Sequence, residues 1–300
     1  MMWFRAMNGG GLQVYDIALV GSAGFLGSAI GATLRSRGHR THGFTRAAPI
    51  FDGRRLAPIA NDVSVIIWAA GAVSPTVAAA RPDVVEVELA EFRNAVNAVQ
   101  RLDSPPRMLL LSSGGTVYGP PASAPYVESD APSPSNKYGE YKLAEERIVL
   151  DAIADSVVLR VSNAYGPGQR GARGQGVLAV WMRSLLAGEP IRIHGSGAVA
   201  RDYVYVDDVA EAVAAAVGCE RPPRVVNVGS GRATSLDELA ATFAKVTGDV
   251  EVRIERLPSR GVDAPSTWLD VGLAASQLDW RAGVDLEEGL TAMWEWMRAQ

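Results

Sequence analysis

Short apolar runs alternate with stretches of helical periodicity along most of the chain. Asp16 to Val20 (DIALV) is a strand-like run ending at Gly21, and in the following GFLGSAIGATLRSRG the residues Leu26, Ala29, Ile30 and Leu34 fall at helical spacing. Similar strand-like runs lie at Arg40 to Thr45, Val63 to Trp68, Met108 to Ser112, Val157 to Val161 and Val225 to Val228. Val85, Leu89, Phe92, Val96 and Val99 step by four and three and mark one buried helical stripe. Strands alternating with helices predict an α/β fold built on a parallel, doubly wound sheet. After Asn163 the pattern loosens into GPGQRGARGQG, and short strands and helices then mix towards the end of the chain. This predicts a smaller α/β domain interleaved with the last sheet elements, dividing the chain into 13–164 with 202–228 and 165–201 with 229–300.

Composition narrows the function classes. Three hundred residues, 48% of them hydrophobic, suffice for a large core. The 29 basic and 33 acidic side chains leave a net charge of -4, which offers no basic field to nucleic acid or to an anionic membrane. Cys219 is the only cysteine, so an intramolecular disulfide and a cysteine metal cluster are excluded, and the three histidines, His39, His42 and His194, make no metal site expected. A reducing cytoplasm fits. The opening MMWFRAMNGGGLQVYD has one basic residue and no long apolar core, and is expected to be an extension without export or spanning function.

Two motifs bring chemistry. Gly21, Ala23, Gly24, Phe25, Leu26 and Gly27 sit between the first strand and the first helix, where glycines let a pyrophosphate approach the backbone and the helix N-terminus offers unpaired amides. The second strand ends in Thr45 and Arg46 rather than in a carboxylate that would bind an adenosine ribose, which favours NADP over NAD with Arg46 on the 2′-phosphate. Tyr138 and Lys142 of YGEYK stand at i and i+4 on one helix face, where an ammonium favours the tyrosinate and makes it an acid/base near neutral pH.

With SSGGTVYG (112–119) upstream of that pair, the chain resembles the extended short-chain dehydrogenase/reductase family, in its nucleotide-sugar epimerase and dehydratase branch with the ketoreductase relatives. The resemblance runs from Asp16 to Trp296 through GSAGFLG, WAAG (68–71), SSGGTVYG, YGEYK, LRVSNAYGPGQ (159–169), RDYVYVDDVAEA (201–212), VNVGSG (226–231) and SRGVD (259–263). It implies a Rossmann domain holding NADP or NAD, with Ala69, Ala70 and Gly71 joining the glycine loop, Arg46, Tyr138 and Lys142. It further implies Tyr138 as acid/base, Lys142 as its electrostatic partner, and Asn163, Arg201, Arg260 and Asp263 on a nucleotide-diphosphate sugar. A homodimer through helices near 83–101 and 138–153 follows from the same likeness.

Three departures matter. The family's catalytic Ser/Thr falls on Gly114, leaving Ser113 as first candidate for the hydroxyl and Thr116 as second, with the two glycines expected to adopt backbone angles closed to other residues and re-aim the loop. Only 16 residues, Arg46 to Asn61, separate the second and third strands, so a family strand with an adenine-binding acid is missing. Glu88 replaces a common asparagine. The expected activity is 4-epimerisation of a nucleotide sugar, with an NADPH-dependent 4-ketoreductase as the alternative and a non-catalytic nucleotide sensor, motivated by Gly114, third. A dehydratase would carry Asp and Glu at Gly115 and Thr116.

Overall fold

Alternation within the strands sets two apolar faces. The computed structural model describes residues 13–119, 122–169, 176–259 and 266–300. Strand β1 (Asp16–Val20) turns into α1 (Phe25–Ser36), and β2 (Arg40–Phe44) returns beside it. Then come β3 (Val65–Trp68), α2 (Pro75–Ala80), α3 (Pro82–Gln100), β4 (Arg107–Ser113), the single turn α4 (Gly114–Val117), α5 (Lys137–Ala152) and β5 (Ser156–Val161). The rest of the chain runs through β6 (Asn163–Tyr165), α6 (Val177–Leu186), β7 (Ile191–His194), β8 (Ala200–Arg201), β9 (Tyr203–Tyr205), α7 (Val206–Gly218) and β10 (Val225–Val228). It closes with β11 (Thr234–Ser235), α8 (Leu236–Val246), β12 (Ile254–Leu257), α9 (Gly272–Gln277) and α10 (Leu286–Arg298).

Six parallel strands form one sheet in the order β2-β1-β3-β4-β5-β10. Ile17, Leu19, Val65, Ile67 and Leu109 pack under Ile30 and Leu34 of α1 and Val209 and Val213 of α7. Their neighbours Ala18, Val20, Ile66, Met108 and Leu110 face Phe92, Val96 and Val99 of α3 and Ile148 and Val149 of α5. Helices on both faces are what a parallel sheet requires, since each strand is apolar on both sides. The order reverses between β1 and β3, whose last residues Val20 and Trp68 lie side by side, and this reversal opens a crevice at the strands' carboxyl ends. The stripe on α3 is buried only in its second half. Val85 and Leu89 are half-buried because the first half runs beside that crevice, where Val87 is 57% exposed.

A second apolar core joins Trp181 and Met182 of α6, Ile191 and Ile193 of β7, Leu239 and Phe243 of α8, and Leu290, Met293 and Trp294 of α10. Buried Asp202, between β8 and β9, stitches this part to the sheet by accepting from the amide of Ser230 (2.8 Å), the hydroxyls of Ser230 (2.7 Å) and Ser162 (3.1 Å), and the amides of Gly231 (3.2 Å) and Leu269 (3.3 Å). On the other side, Arg160 of β5 donates to Glu146 of α5 at 2.7 Å, and the Ser112 hydroxyl donates to the same carboxylate at 2.5 Å. No described helix is long and apolar enough to cross a membrane.

Candidate active site

A cleft of about 820 Å³ lies at the reversal point. Its floor is the glycine turn, where the Gly21 amide donates to Phe44 O and the Gly24 amide to Gly21 O, each at 2.9 Å. Gly21 has φ +86, and a Cβ there would stand 2.7 Å from the Ala70 nitrogen. A Cβ on Gly27 would collide with the Gly21 carbonyl oxygen, so only glycine lets α1 begin this close to the turn. The first turn of α1 has no acidic residue and no side-chain cap, which leaves its amides without side-chain partners beside the cleft that Gly24 lines. These features fit a dinucleotide pyrophosphate.

Gly21, Ala23, Gly24, Arg46, Ala69, Ala70 and Gly71 all line this one cleft. Phe25 and Leu26 do not, Phe25 packing against the second apolar core and Leu26 against both, and Gly27, Tyr138 and Lys142 are not among the lining residues either. In place of the missing family strand, a small hairpin closes with Phe51 paired to Leu56 and with Asp52 accepting from the Arg54 (2.8 Å) and Arg55 (2.9 Å) amides. Ile50, Phe51 and Asp52 of that hairpin form one cleft wall; Glu88, Glu91, Tyr141 and Glu145 form another.

Helix α5 starts where Asn136 accepts from the Gly139 amide at 2.9 Å. A Cβ on Gly139 would run into the Thr116 carbonyl, so this glycine lets α5 press against α4. Tyr138 and Lys142 lie one turn apart on α5. Lys142 is buried, and its Nζ donates to Glu145 Oε2 at 2.5 Å, while the Tyr141 hydroxyl donates to Glu145 Oε1 at 2.8 Å. Burial pulls the Lys142 ammonium down, but Glu145, Tyr138 and Glu146 outweigh it and hold its pKa above the usual lysine value. Burial pushes the Tyr138 phenol above the usual tyrosine value, Lys142 opposes and Glu145 adds to the rise. Lys142 still acts to lower the Tyr138 phenol, as the Tyr138–Lys142 spacing predicts, but burial outweighs it, and the buried Glu145 three residues after Lys142 receives the ammonium.

The hydroxyls of SSGGTVYG separate by their partners. Ser112 is bound to Glu146, and Tyr118 donates to Asn227 Oδ1 at 2.8 Å. Thr116 Oγ1 is buried with no hydrogen-bond partner. Ser113 is half-buried and makes no capping bond to α4. Gly114 and Gly115 open α4 and are not among the positive-φ glycines, which corrects the expectation of special backbone angles. Space is what Gly114 supplies: a Cβ there would lie 2.6 Å from Leu269 Cδ1 and 2.9 Å from the Arg160 carbonyl oxygen.

A neighbouring cavity of about 380 Å³ takes in Asn163 and Arg201 together with Trp181, Arg192, His194 and Tyr203. Asn163 Nδ2 donates to the Asp202 carbonyl at 2.8 Å and stands 3.8 Å from where a Gly115 Cβ would be, linking this cavity to the hydroxyl loop. Arg201 donates to Ala200 O at 2.8 Å, and burial holds its guanidinium below the usual value. Asp208 accepts from the Gly283 (2.9 Å) and Val284 (3.1 Å) amides. Arg260 and Asp263 lie outside the described residues.

The model of the NAD dependent epimerase/dehydratase family matches residues 17–229. The chain belongs to this family. It is 32% identical over 194 residues to the dTDP-4-dehydro-6-deoxyglucose reductase of Escherichia coli, covering 61% of this chain and 59% of that one. It is 35% identical over 204 residues to the UDP-glucose 4-epimerase of Mycolicibacterium smegmatis, covering 66% and 64%. The match thus spans less than two thirds of either relative. Among solved structures, MoeE5 in complex with UDP-glucose and NAD aligns with a TM-score of 0.80 at 28% identity, covering 95% of this chain and 99% of that one.

Because the volume around Gly114 is filled, Gly114→Ala should lower unfolding stability by about 1–3 kcal/mol, whereas Gly115→Ala should be close to neutral. Chemical denaturation of both variants checks this, and equal effects would remove the packing account.

Proposed function

We propose that this protein is an NAD(P)-dependent 4-epimerase of a nucleotide-diphosphate sugar. The observation that carries the reading is the arrangement of α5, whose Tyr141 and Glu145 line the dinucleotide cleft while the adjoining α4 turn meets Asn163 of the second cavity. A nicotinamide dinucleotide bound in the cleft supplies a hydride acceptor and donor. Tyr138 exchanges the proton of the sugar C4 oxygen, Lys142 sets its charge balance, and Ser113 donates a second hydrogen bond to that oxygen. Asn163 and Arg201 hold the diphosphate sugar, with Arg260 and Asp263 as further ligands; an Arg fork matches phosphate oxygens.

A single-pass 4-ketoreductase is the second reading, favoured by Arg46 on the cleft wall with no acid at the end of β2. We assign the dinucleotide to residues 13–164 and 202–228 and the sugar nucleotide to 165–201 and 229–300. A homodimer through α3 and α5, which pack side by side, belongs to the same reading. A chain with one cysteine suits the cytoplasm.

Tyr138→Phe should cut interconversion of UDP-linked or dTDP-linked sugars by about a hundredfold or more and leave nucleotide binding intact. An active phenylalanine variant would remove Tyr138 as the acid/base, and net consumption of NADPH by the wild type on a 4-keto sugar would replace the epimerase with the reductase.

Arg46→Ala should weaken NADPH binding by about 1–3 kcal/mol and barely change NADH. Calorimetric titration decides, since equal losses would make Arg46 a surface charge only.

Ser113→Ala should lower kcat by about a hundredfold. Thr116→Val should keep kcat and be neutral or stabilising, because it replaces a buried hydroxyl that has no partner with a methyl group. The opposite pattern would transfer the role to Thr116.

A further inference from the structure

Glu145 is almost fully buried, 1% exposed, yet it belongs to the cleft wall and receives both the Lys142 ammonium and the Tyr141 hydroxyl. Each carboxylate oxygen has one of these donors. The Lys142 ammonium also lies 5.7 Å from the Tyr141 ring centroid, and that ring is 6.3 Å from the Tyr138 ring. The four side chains thus form one closed group on two turns of α5.

We infer that Glu145 is a positioning residue that claims the Lys142 ammonium and so, beside the burial of its ring, helps to keep Tyr138 a protonated phenol in the free protein. The inference rests on Tyr138 being the proton-exchanging group proposed above. A lone ammonium beside a phenol stabilises the anion, but an ammonium neutralised by a carboxylate two and a half ångströms away does so far less. Glu146, the next residue on α5, adds to the hold on the ammonium. Glu88 of α3 acts on the adjacent Tyr141 phenol in the same direction as Glu145, and Glu91 is a further acid on the same cleft wall. Glu146 and Arg160 are paired to each other, and α2 and α4 contribute no charged side chain. A phenol at rest is the form from which a carbonyl oxygen can be protonated, whereas an oxidation must first remove that proton.

The difference in near-ultraviolet tyrosinate absorbance between wild type and Tyr138→Phe, both free of nucleotide, isolates the Tyr138 titration. Tyr138 is expected to ionise only above the range of an ordinary tyrosine; ionisation near neutrality would overturn the inference without need of any further variant. Glu145→Gln should move the titration down by about one pH unit or more, and an unmoved or rising titration would overturn it. Glu145→Asp retains the charge and should stay within about half a unit of wild type, whereas a shift as large as that of Gln would make Glu145 a packing residue only. None of these measurements uses a substrate. Lack of turnover with any nucleotide sugar would therefore defeat the proposed function and leave this inference standing.

Discussion

The Glu146 carboxylate under α5, held by Arg160 of β5 and Ser112 of β4, fastens the helix to the sheet from below. Where Tyr138 and Lys142 stand depends on that anchor. A buried ion pair contributes little net stability against an apolar pair of equal size, but breaking it leaves an uncompensated charge, so its effect is to make one helix position far better than its neighbours. Gly139 completes the fit from the other end by letting the helix start meet the Thr116 backbone. With α5 fixed at both ends, the Tyr138–Lys142 spacing becomes a position in space.

The same anchoring explains the loop before it. Arg160 stacks over Tyr118 at 4.7 Å, Tyr118 donates to Asn227 of β10, and Leu269 fills the space beside Gly114. A serine at position 114 would have to displace either a leucine or the β5 backbone. Loss of the family hydroxyl at that position is therefore tied to how tightly the strand ends are packed, and it leaves Ser113, half-buried and not capping α4, and Thr116, buried without a partner, as the loop's two candidate hydroxyls.

Much of this was legible in the chain. The strand and helix alternation foretold the sheet, because both faces of a parallel sheet must be apolar and GSAGFLG can only serve at a first strand-helix turn. The cleft walls were legible in part: Arg46 and WAAG reach it, but Phe25 turns to the second core and Leu26 to both, since helical periodicity does not say which of two cores a residue faces. The hairpin at Ile50 to Leu56 was hidden because seven residues with one bridge carry no periodicity. Glu145 was hidden for a different reason. An acid three residues after a lysine on a helix is usually an exposed pair of small effect, and only the depth of α5 turns it into a buried one.

That depth changes the electrostatic argument for the site. A Tyr and a Lys four residues apart read as an activated phenol when solvent or cofactor is the only other neighbour. Here burial raises the phenol and outweighs the lowering by the Lys142 ammonium, which Glu145 partly offsets. Interaction energies scale inversely with the local dielectric, so the Lys142–Glu145 pair, both members buried, dominates over any charge that acts through water. Anything that draws the ammonium towards the cleft must therefore compete with Glu145.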